Sequence, residues 1–324
     1  MLKDLQAAKH YIYLEYFIIA EGVMWDMILE ILERKVKEGV DVRLIYDDVG
    51  CVSLLPIHYT KIMESKGIKC MAFNRFVPFL SLAMNNRDHR KILVIDGHTA
   101  YNGGINLADE YINRKMRFGH WKDTGVRIHG EAVFNFSMMF LEMWNAFREP
   151  ETDFKAFDPH RWHPEPFESD GYVVPYSDTP LDFEELGENV YINILNQAKD
   201  YVYIATPYLL ISDEMNKAFT LAARRGVDVR IITPGIPDKK LIFRMSRSFY
   251  QALLTEGVKI YEYTPGFVHA KSFVSDDVVG TIGTVNLDYR SLFLHFENNS
   301  LFYRSNIIAE LKDDFLSTQA KCRQ

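Results

Sequence analysis

The chain repeats itself, and this limits its fold more than any other feature. Ala8-Lys9-His10-Tyr11-Ile12-Tyr13 returns 190 positions later as Ala198-Lys199-Asp200-Tyr201-Val202-Tyr203. Glu38-Gly39-Val40-Asp41-Val42-Arg43-Leu44-Ile45 returns as Arg225-Gly226-Val227-Asp228-Val229-Arg230-Ile231-Ile232, and Lys66-Gly67-Ile68-Lys69 as Glu256-Gly257-Val258-Lys259. Order is kept and spacing drifts by only a few residues, so one unit occurs twice in 324 residues. Two domains of ordinary size fit that length.

Each copy reads strand, helix, strand, helix, strand. Residues 11–19 and 201–211 are β-branched and aromatic, as strands are. Met24 to Lys37 and Glu214 to Arg225 carry helical periodicity and stop at Gly39 and Gly226. Val42–Tyr46 and Val229–Thr233 then read as short buried strands. This alternation predicts an α/β fold, with helices packed on the faces of each sheet. The periodicity of Val133, Phe136, Phe140, Met143, Trp144 and Phe147 predicts a core-facing helix over 130–147. A polar, proline-bearing stretch divides the copies. The expected domains are 1–150 and 173–324, with 151–172 as linker.

Inside the repeat lies a motif with chemical content. His89-Arg90-Lys91-Ile92-Leu93-Val94-Ile95-Asp96 and His269-Ala270-Lys271-Ser272-Phe273-Val274-Ser275-Asp276 are both HxKxxxxD, 180 positions apart. Each is followed by a GxxN element, Gly103-Gly104-Ile105-Asn106 and Gly283-Thr284-Val285-Asn286. This composition produces one HxKxxxxD by chance roughly 0.04 times, so two copies inside a repeat are a strong signal. On a strand, residues i and i+2 share a face. His89 therefore points with Lys91, and His269 with Lys271. The six motif residues His89, Lys91, Asp96, His269, Lys271 and Asp276 form the expected catalytic set. Within it the two aspartates have opposite parity and are assigned structural work at the strand end.

Together the copies offer two imidazoles, two ammonium groups and two amides, enough to surround a phosphate. Lys and Asn106/Asn286 would hold phosphoryl oxygens, one His would attack phosphorus, and the other would protonate the leaving oxygen. An ammonium two residues from each His would repel a cation, so no metal and no cofactor is expected. With 37 basic against 44 acidic residues and a net charge of −7, a general nucleic-acid binder is disfavoured. Three scattered cysteines argue against a disulfide framework. No stretch reaches the ~18–20 apolar residues that span a bilayer.

The paired motifs and their GxxN tails resemble the phospholipase D superfamily over nearly the whole chain. Longer stretches are similar to bacterial cardiolipin synthases: Asn86-Arg87-Asp88-His89-Arg90-Lys91, Gly103-Gly104-Ile105-Asn106-Leu107-Ala108-Asp109-Glu110-Tyr111, and Trp121-Lys122-Asp123-Thr124. Ser246-Arg247-Ser248-Phe249-Tyr250, Pro265-Gly266-Phe267-Val268-His269-Ala270-Lys271, and Asn286-Leu287-Asp288-Tyr289-Arg290-Ser291 followed by Glu297 extend the likeness. Thr284 stands where serine is common, which keeps the hydroxyl. The resemblance implies a duplicated α-β-α sandwich whose halves are related by a pseudo-twofold and share one active site. It implies transfer of a phosphatidyl group between two phosphatidylglycerol molecules through a phosphohistidine, giving cardiolipin and glycerol. It assigns His89 as nucleophile and His269 as general acid and then base. It also implies orienting carboxylates, Asp123 for His89 and Glu297 for His269.

The same histidines would serve a phospholipase D hydrolase or a phosphatidylserine synthase, where only the acceptor differs. A nuclease of the superfamily usually carries one motif per chain, and a non-catalytic scaffold would be expected to lose a His or Lys. The implied partners are phosphatidylglycerol and a membrane surface. The implied location is the bacterial cell membrane, met peripherally by this chain, with the spanning helices of full-length relatives lying outside it. Two segments are candidates for lipid contact: the apolar stretch 76–84 just before His89, and 238–247, where basic residues at helical intervals alternate with apolar ones. Arg247 is a candidate for a second phosphate.

Overall fold

Each copy of the repeat folds into the same kind of sheet in the computed structural model, which describes residues 1–75, 85–182 and 184–324. The expected apolar lip at 76–84 lies outside the described residues. The chain forms two compact units, but not by one cut. The first holds Met1–Asn102, Asn106–Arg114 and Gly125–Glu168; the second holds Gly103–Ile105, Lys115–Thr124 and Ser169–Gln324.

Residues 151–168, expected as linker, thus belong to the first unit. Aromatic contacts give the reason: Phe157 packs edge-on against Tyr11 with centroids 5.4 Å apart, and Trp162 stacks on His10 at 3.6 Å. Residues 115–124 belong instead to the second unit, where His120–Lys122 pairs in parallel with Gly266–Val268.

In the first unit the sheet runs Lys69–Phe73, Asp41–Asp47, Tyr11–Tyr16, Lys91–Ile95, Thr99–Gly103, Gly125–His129. The first three strands are parallel, and Lys91–Ile95 and Thr99–Gly103 then alternate in direction. The helix Val23–Lys37 buries Met24, Trp25, Ile28, Ile31 and Leu32, the i, i+3/i+4 row its sequence spells. It ends beside Gly39, whose φ of 89° is the left-handed value a helix stop requires. Val133–Phe147 buries Val133, Phe136, Phe140, Met143 and Trp144 as the periodicity predicts.

In the second unit the sheet runs Cys322–Arg323, Lys259–Tyr263, Asp228–Pro234, Tyr201–Ala205, Ser272–Ser275, Val279–Gly283, Glu297–Tyr303, Tyr172–Asp178. The helix Asp213–Arg224 is capped by Ser212, whose hydroxyl accepts the Met215 N–H at 3.0 Å.

The duplication extends to side-chain geometry. In the first unit Asp41 takes Arg43 Nε at 2.8 Å, Lys69 Nζ at 2.7 Å and the Tyr13 hydroxyl at 3.3 Å. In the second, Asp228 takes Arg230 Nε at 2.9 Å, Lys259 Nζ at 2.7 Å and the Tyr203 hydroxyl at 3.3 Å. Each aspartate opens the second parallel strand and binds residues from three adjacent strands.

The motif aspartates recur in the same way. Asp96 sits at φ 50° just after Lys91–Ile95 and accepts the backbone N–H groups of Lys9, His10 and Tyr11 at 2.8, 2.7 and 2.9 Å. Asp276, at φ 54°, accepts those of Lys199, Asp200 and Tyr201 at 2.8, 3.1 and 2.9 Å. Both carboxylates are therefore used up in fastening one strand end to the start of its neighbour. Asp96→Ala should cost about 3 kcal/mol, because three backbone donors lose a charged acceptor. Chemical denaturation measures this, with Asp96→Asn recovering part of the loss.

Candidate active site

Each HxK pair stands at the start of a central strand of its sheet. Lys91 opens the strand Lys91–Ile95, with His89 two residues before it. Lys91 is buried, and its Nζ donates to the carbonyl oxygen of His89 at 2.5 Å. In the second unit Lys271 directly precedes Ser272–Ser275, and its Nζ donates to the His269 carbonyl, also at 2.5 Å. The same Nζ lies 2.9 Å from both ring nitrogens of His269. Both lysines thus fold back on their own histidine, and both are almost wholly removed from water.

The surroundings of His89 are ionic. Arg87 grips Asp47 with Nε at 2.9 Å from Oδ2 and Nη2 at 2.8 Å from Oδ1, and the Asp88 N–H adds a bond to Asp47 Oδ2 at 3.0 Å. Arg90 pairs with Glu15 at 2.5 Å. Two buried ion pairs therefore bracket the histidine along the chain, and the Phe17 ring lies edge-on to its imidazole at 5.0 Å.

The surroundings of His269 are aromatic apart from the Lys271 ammonium and one carboxylate. The paired strands His120–Lys122 and Gly266–Val268 put Trp121 opposite Phe267, and each strand is followed directly by a candidate site residue, Asp123 and His269. The His269 N–H donates to the Lys122 carbonyl at 2.7 Å, which continues the pairing. Asp123 Oδ2 lies 2.7 Å from His269 Nδ1. The rings of Trp121 and Phe267 lie 5.3 and 6.0 Å from the imidazole.

Burial pushes the Asp123 carboxyl up. The charge and hydrogen bond of His269, with Lys271 and the Thr124 N–H, more than offset it, so the group is held below the ordinary carboxylate value. Gly104 makes this approach possible: a methyl group there would overlap the Asp123 carboxylate and stand 2.9 Å from the His269 carbonyl.

Three expected roles change. Asp123 was expected to orient His89, and it instead holds His269. Glu297 was expected to orient His269. Its carboxylate takes the Thr284 hydroxyl at 2.5 Å and the Ser291 hydroxyl, while the His269 Nδ1 faces Asp123. Asn106 was expected to hold phosphate. Its Oδ1 accepts the Ile18 N–H at 2.9 Å and its Nδ2 donates to the Tyr111 hydroxyl at 2.7 Å, which ties both ends of the amide to the scaffold. Asn286 differs, with a buried Oδ1 that has no hydrogen-bond partner among the described residues.

Asp96 and Asp276, counted in the catalytic set by motif, face away in the structural bonds described above. Arg247 is likewise committed, bidentate to Glu262 at 2.7 Å on both arms. Sequence reasoning missed Ser291, Thr284 and Trp121 as supports of the site. All three lie in stretches that carry the family likeness, but nothing in their spacing shows a partner. Among the described residues no group of three or more His, Cys, Asp or Glu side chains is placed to hold a metal ion.

The chain is similar to known proteins over most of its length. The family described as "Cardiolipin synthase, PLD-like domain" matches residues 1–144 and 191–318. A cardiolipin synthase of Alkalihalophilus pseudofirmus is 37% identical over 98% of this chain and 62% of its own length. One from Listeria innocua is 33% identical over 100% of this chain and 67% of its own. The chain thus spans about three fifths to two thirds of the cardiolipin synthases it matches. A Streptococcus mutans protein of unassigned function is 54% identical over 100% of this chain and 70% of its own. Among solved structures, phosphatidylserine synthase of Haemophilus influenzae superposes with a TM-score of 0.72 at 15% identity, covering 99% of this chain and 84% of that one. That likeness shows the duplicated phospholipase D fold. With its motifs intact and the family matched across most of its length, the chain belongs to the cardiolipin synthase, phospholipase D-like family.

Proposed function

We propose that the chain transfers a phosphatidyl group from one phosphatidylglycerol to another, giving cardiolipin and glycerol. The observation that carries this reading is the pairing of His269 with Asp123, set in a family whose matched relatives are named cardiolipin synthases. A carboxylate at Nδ1 orients the imidazole and offsets positive charge that develops on the ring, as a general acid and base requires.

In the first step a ring nitrogen of His89 attacks phosphorus. An N–P bond forms, the P–O bond to the departing glycerol breaks, and His269 gives its proton to that oxygen. In the second step His269 takes a proton from the incoming headgroup hydroxyl. The new P–O bond forms and the N–P bond breaks. Lys91 and Lys271 stabilise the phosphoryl oxygens, a suitable use for ammonium groups so fully buried. Asn286 adds its amide to the same oxygens.

The acceptor decides the reaction. Vesicles of pure phosphatidylglycerol, in chelator, should yield cardiolipin and free glycerol by mass spectrometry, and His89→Ala should yield neither. Phosphatidic acid in place of cardiolipin would make water the acceptor and overturn the transferase reading.

Asp123→Asn should lower turnover by ~10²–10⁴-fold with little change in melting temperature, since a neutral amide cannot stabilise the charged acid. The pH sign follows from the depressed carboxyl. Its contribution is complete above the ordinary value of 3.8 and is lost only as pH falls below it. Acid inactivation of the parent between neutral pH and about 4 would therefore have to arise from groups other than Asp123. Thr284→Val should cost about 2 kcal/mol, measured by denaturation, because a buried carboxylate loses a hydroxyl donor, while Thr284→Ser should stay near the parent.

A further inference from the structure

We propose that the second unit carries a docking face for an anionic lipid bilayer, formed by the helix Lys240–Ser248 and the turn at 115–118. This deepens the phosphatidyl-transfer reading, on which it rests, by assigning the surface that meets the lipid.

The helix is poorly accounted for by packing. It is nine residues long and buries only Ser246, whose hydroxyl accepts the Leu209 N–H at 3.1 Å. Helices this short are marginal without an apolar face to bury. Leu241 is 69% exposed and Met245 45% exposed, and at i, i+4 they form one row. Lys240 and Arg244, also four apart, form the row beside it and have no ion-pair partner among the described residues. The turn repeats the composition: Lys115, Met116 and Arg117 are exposed, Met116 at 87%, and Arg117 lies over the Phe118 ring at 5.3 Å.

Charge selects the occupant. The chain as a whole carries −7, yet 239–247 holds Lys239, Lys240, Arg244 and Arg247 with no acid between them. Arg247 is spent on Glu262 and Lys239, just before the helix, lies 4.0 Å from Asp238, which leaves Lys240 and Arg244 on the helix, with Lys115 and Arg117 exposed on the turn. Exposed apolar rows flanked by basic rows suit the boundary between headgroups and acyl chains, with the cations among anionic headgroups.

Contacts within the unit also place this face near the chemistry. Asp238 accepts the Tyr208 hydroxyl at 2.5 Å, and Lys239 Nζ lies 5.5 Å from the Tyr208 ring centre. Tyr208 is 6.4 Å from Phe267, Phe118 is 6.1 Å from Phe267, and Phe267 is 6.0 Å from His269. Helix and turn therefore flank the ring that packs on the proposed acid. A lipid whose tails lie against Leu241 and Met245 would have its phosphate at headgroup level, one aromatic layer from His269.

The test uses the whole chain and vesicles of phosphatidylcholine with or without one-third phosphatidylserine, which provides negative charge without being the proposed donor. The parent should sediment with the anionic vesicles, and high salt should weaken this. Lys240→Gln with Arg244→Gln should lower vesicle affinity ~30-fold, from roughly one unit of headgroup attraction per cation. Leu241→Ser with Met245→Ser should lower it on anionic vesicles by a similar factor. Turnover of short-chain phosphatidylglycerol dispersed below its aggregation limit should be unchanged in both. Variants that bind like the parent, or a parent indifferent to vesicle charge, would overturn the docking face. So would loss of turnover on the dispersed lipid, which would place these residues in the site. A parent that binds through this face but forms no transfer product would sustain the face and overturn the transferase reading.

Discussion

Each histidine is held in place by a carboxylate that does no chemistry. Asp96 and Asp276 close the strand that begins at or just after the motif lysine, and each fastens that strand's far end to the backbone of the neighbouring one through three N–H bonds. Register is what these bonds protect. A one-residue slip between Lys91–Ile95 and Tyr11–Tyr16 would turn every side chain to the opposite face, and Lys91 with them. Hydrogen bonds to an ionised acceptor are strong and directional, and each aspartate accepts the left-handed backbone that this turn imposes. The spacing between His and Asp in the motif is thus the length of one strand plus its lock.

Above that common lock the two copies diverge. The first secures its histidine with buried ions, Arg87 on Asp47 and Arg90 on Glu15. At the matching places the second copy has Phe267, Pro234, Ala270 and Ala205, and its histidine lies among aromatic rings beside the Lys271 ammonium and one carboxylate. The amides diverge as well. Asn106 is tied to Ile18 and Tyr111, whereas the Asn286 oxygen is left without a partner among the described residues. A duplicated scaffold with unequal histidine surroundings suits the proposed reaction, which asks one imidazole to attack and the other to carry a proton. Breaking a buried ion pair costs more than the pair contributes, so the ionic bracket around His89 acts more as a positional constraint than as a source of stability.

Periodicity and repetition made the fold legible. The strands at Tyr11 and Tyr201, the helix that ends at Gly39 and the core helix Val133–Phe147 all follow from local pattern. The strands ended earlier than the apolar runs that predicted them, because the chain turns after Tyr16 and after Ala205 toward its site. Partner assignments were less legible. That Asp123 belongs to His269 depends on His120–Lys122 pairing with Gly266–Val268, a contact across some 145 residues with no mark in either segment alone. Asn106 misled for a related reason. An asparagine after two glycines is as well suited to knitting a loop as to binding phosphate, and only the positions of Ile18 and Tyr111 decide between them.

Charge placement bears on how an acidic chain would handle the anionic lipid proposed as its substrate. A net charge of −7 should repel phosphodiesters at long range, but salt screens that field within about 8–10 Å. What a substrate meets at short range is set by the buried groups, and there the balance is different. Lys91 and Lys271 lie inside the protein, where opposing charge is felt far more strongly than in water. The acids near them are already engaged: Asp47 by Arg87, Glu15 by Arg90, Asp123 by His269, and Glu297 by two hydroxyls. Each engaged carboxylate has less attraction left for the lysines and less repulsion for a phosphate. The scaffold thus engages its own acids locally, so in the proposed reaction a phosphate would meet the buried ammonium groups of Lys91 and Lys271 with less opposing charge, while surface acids keep the rest of the chain negative.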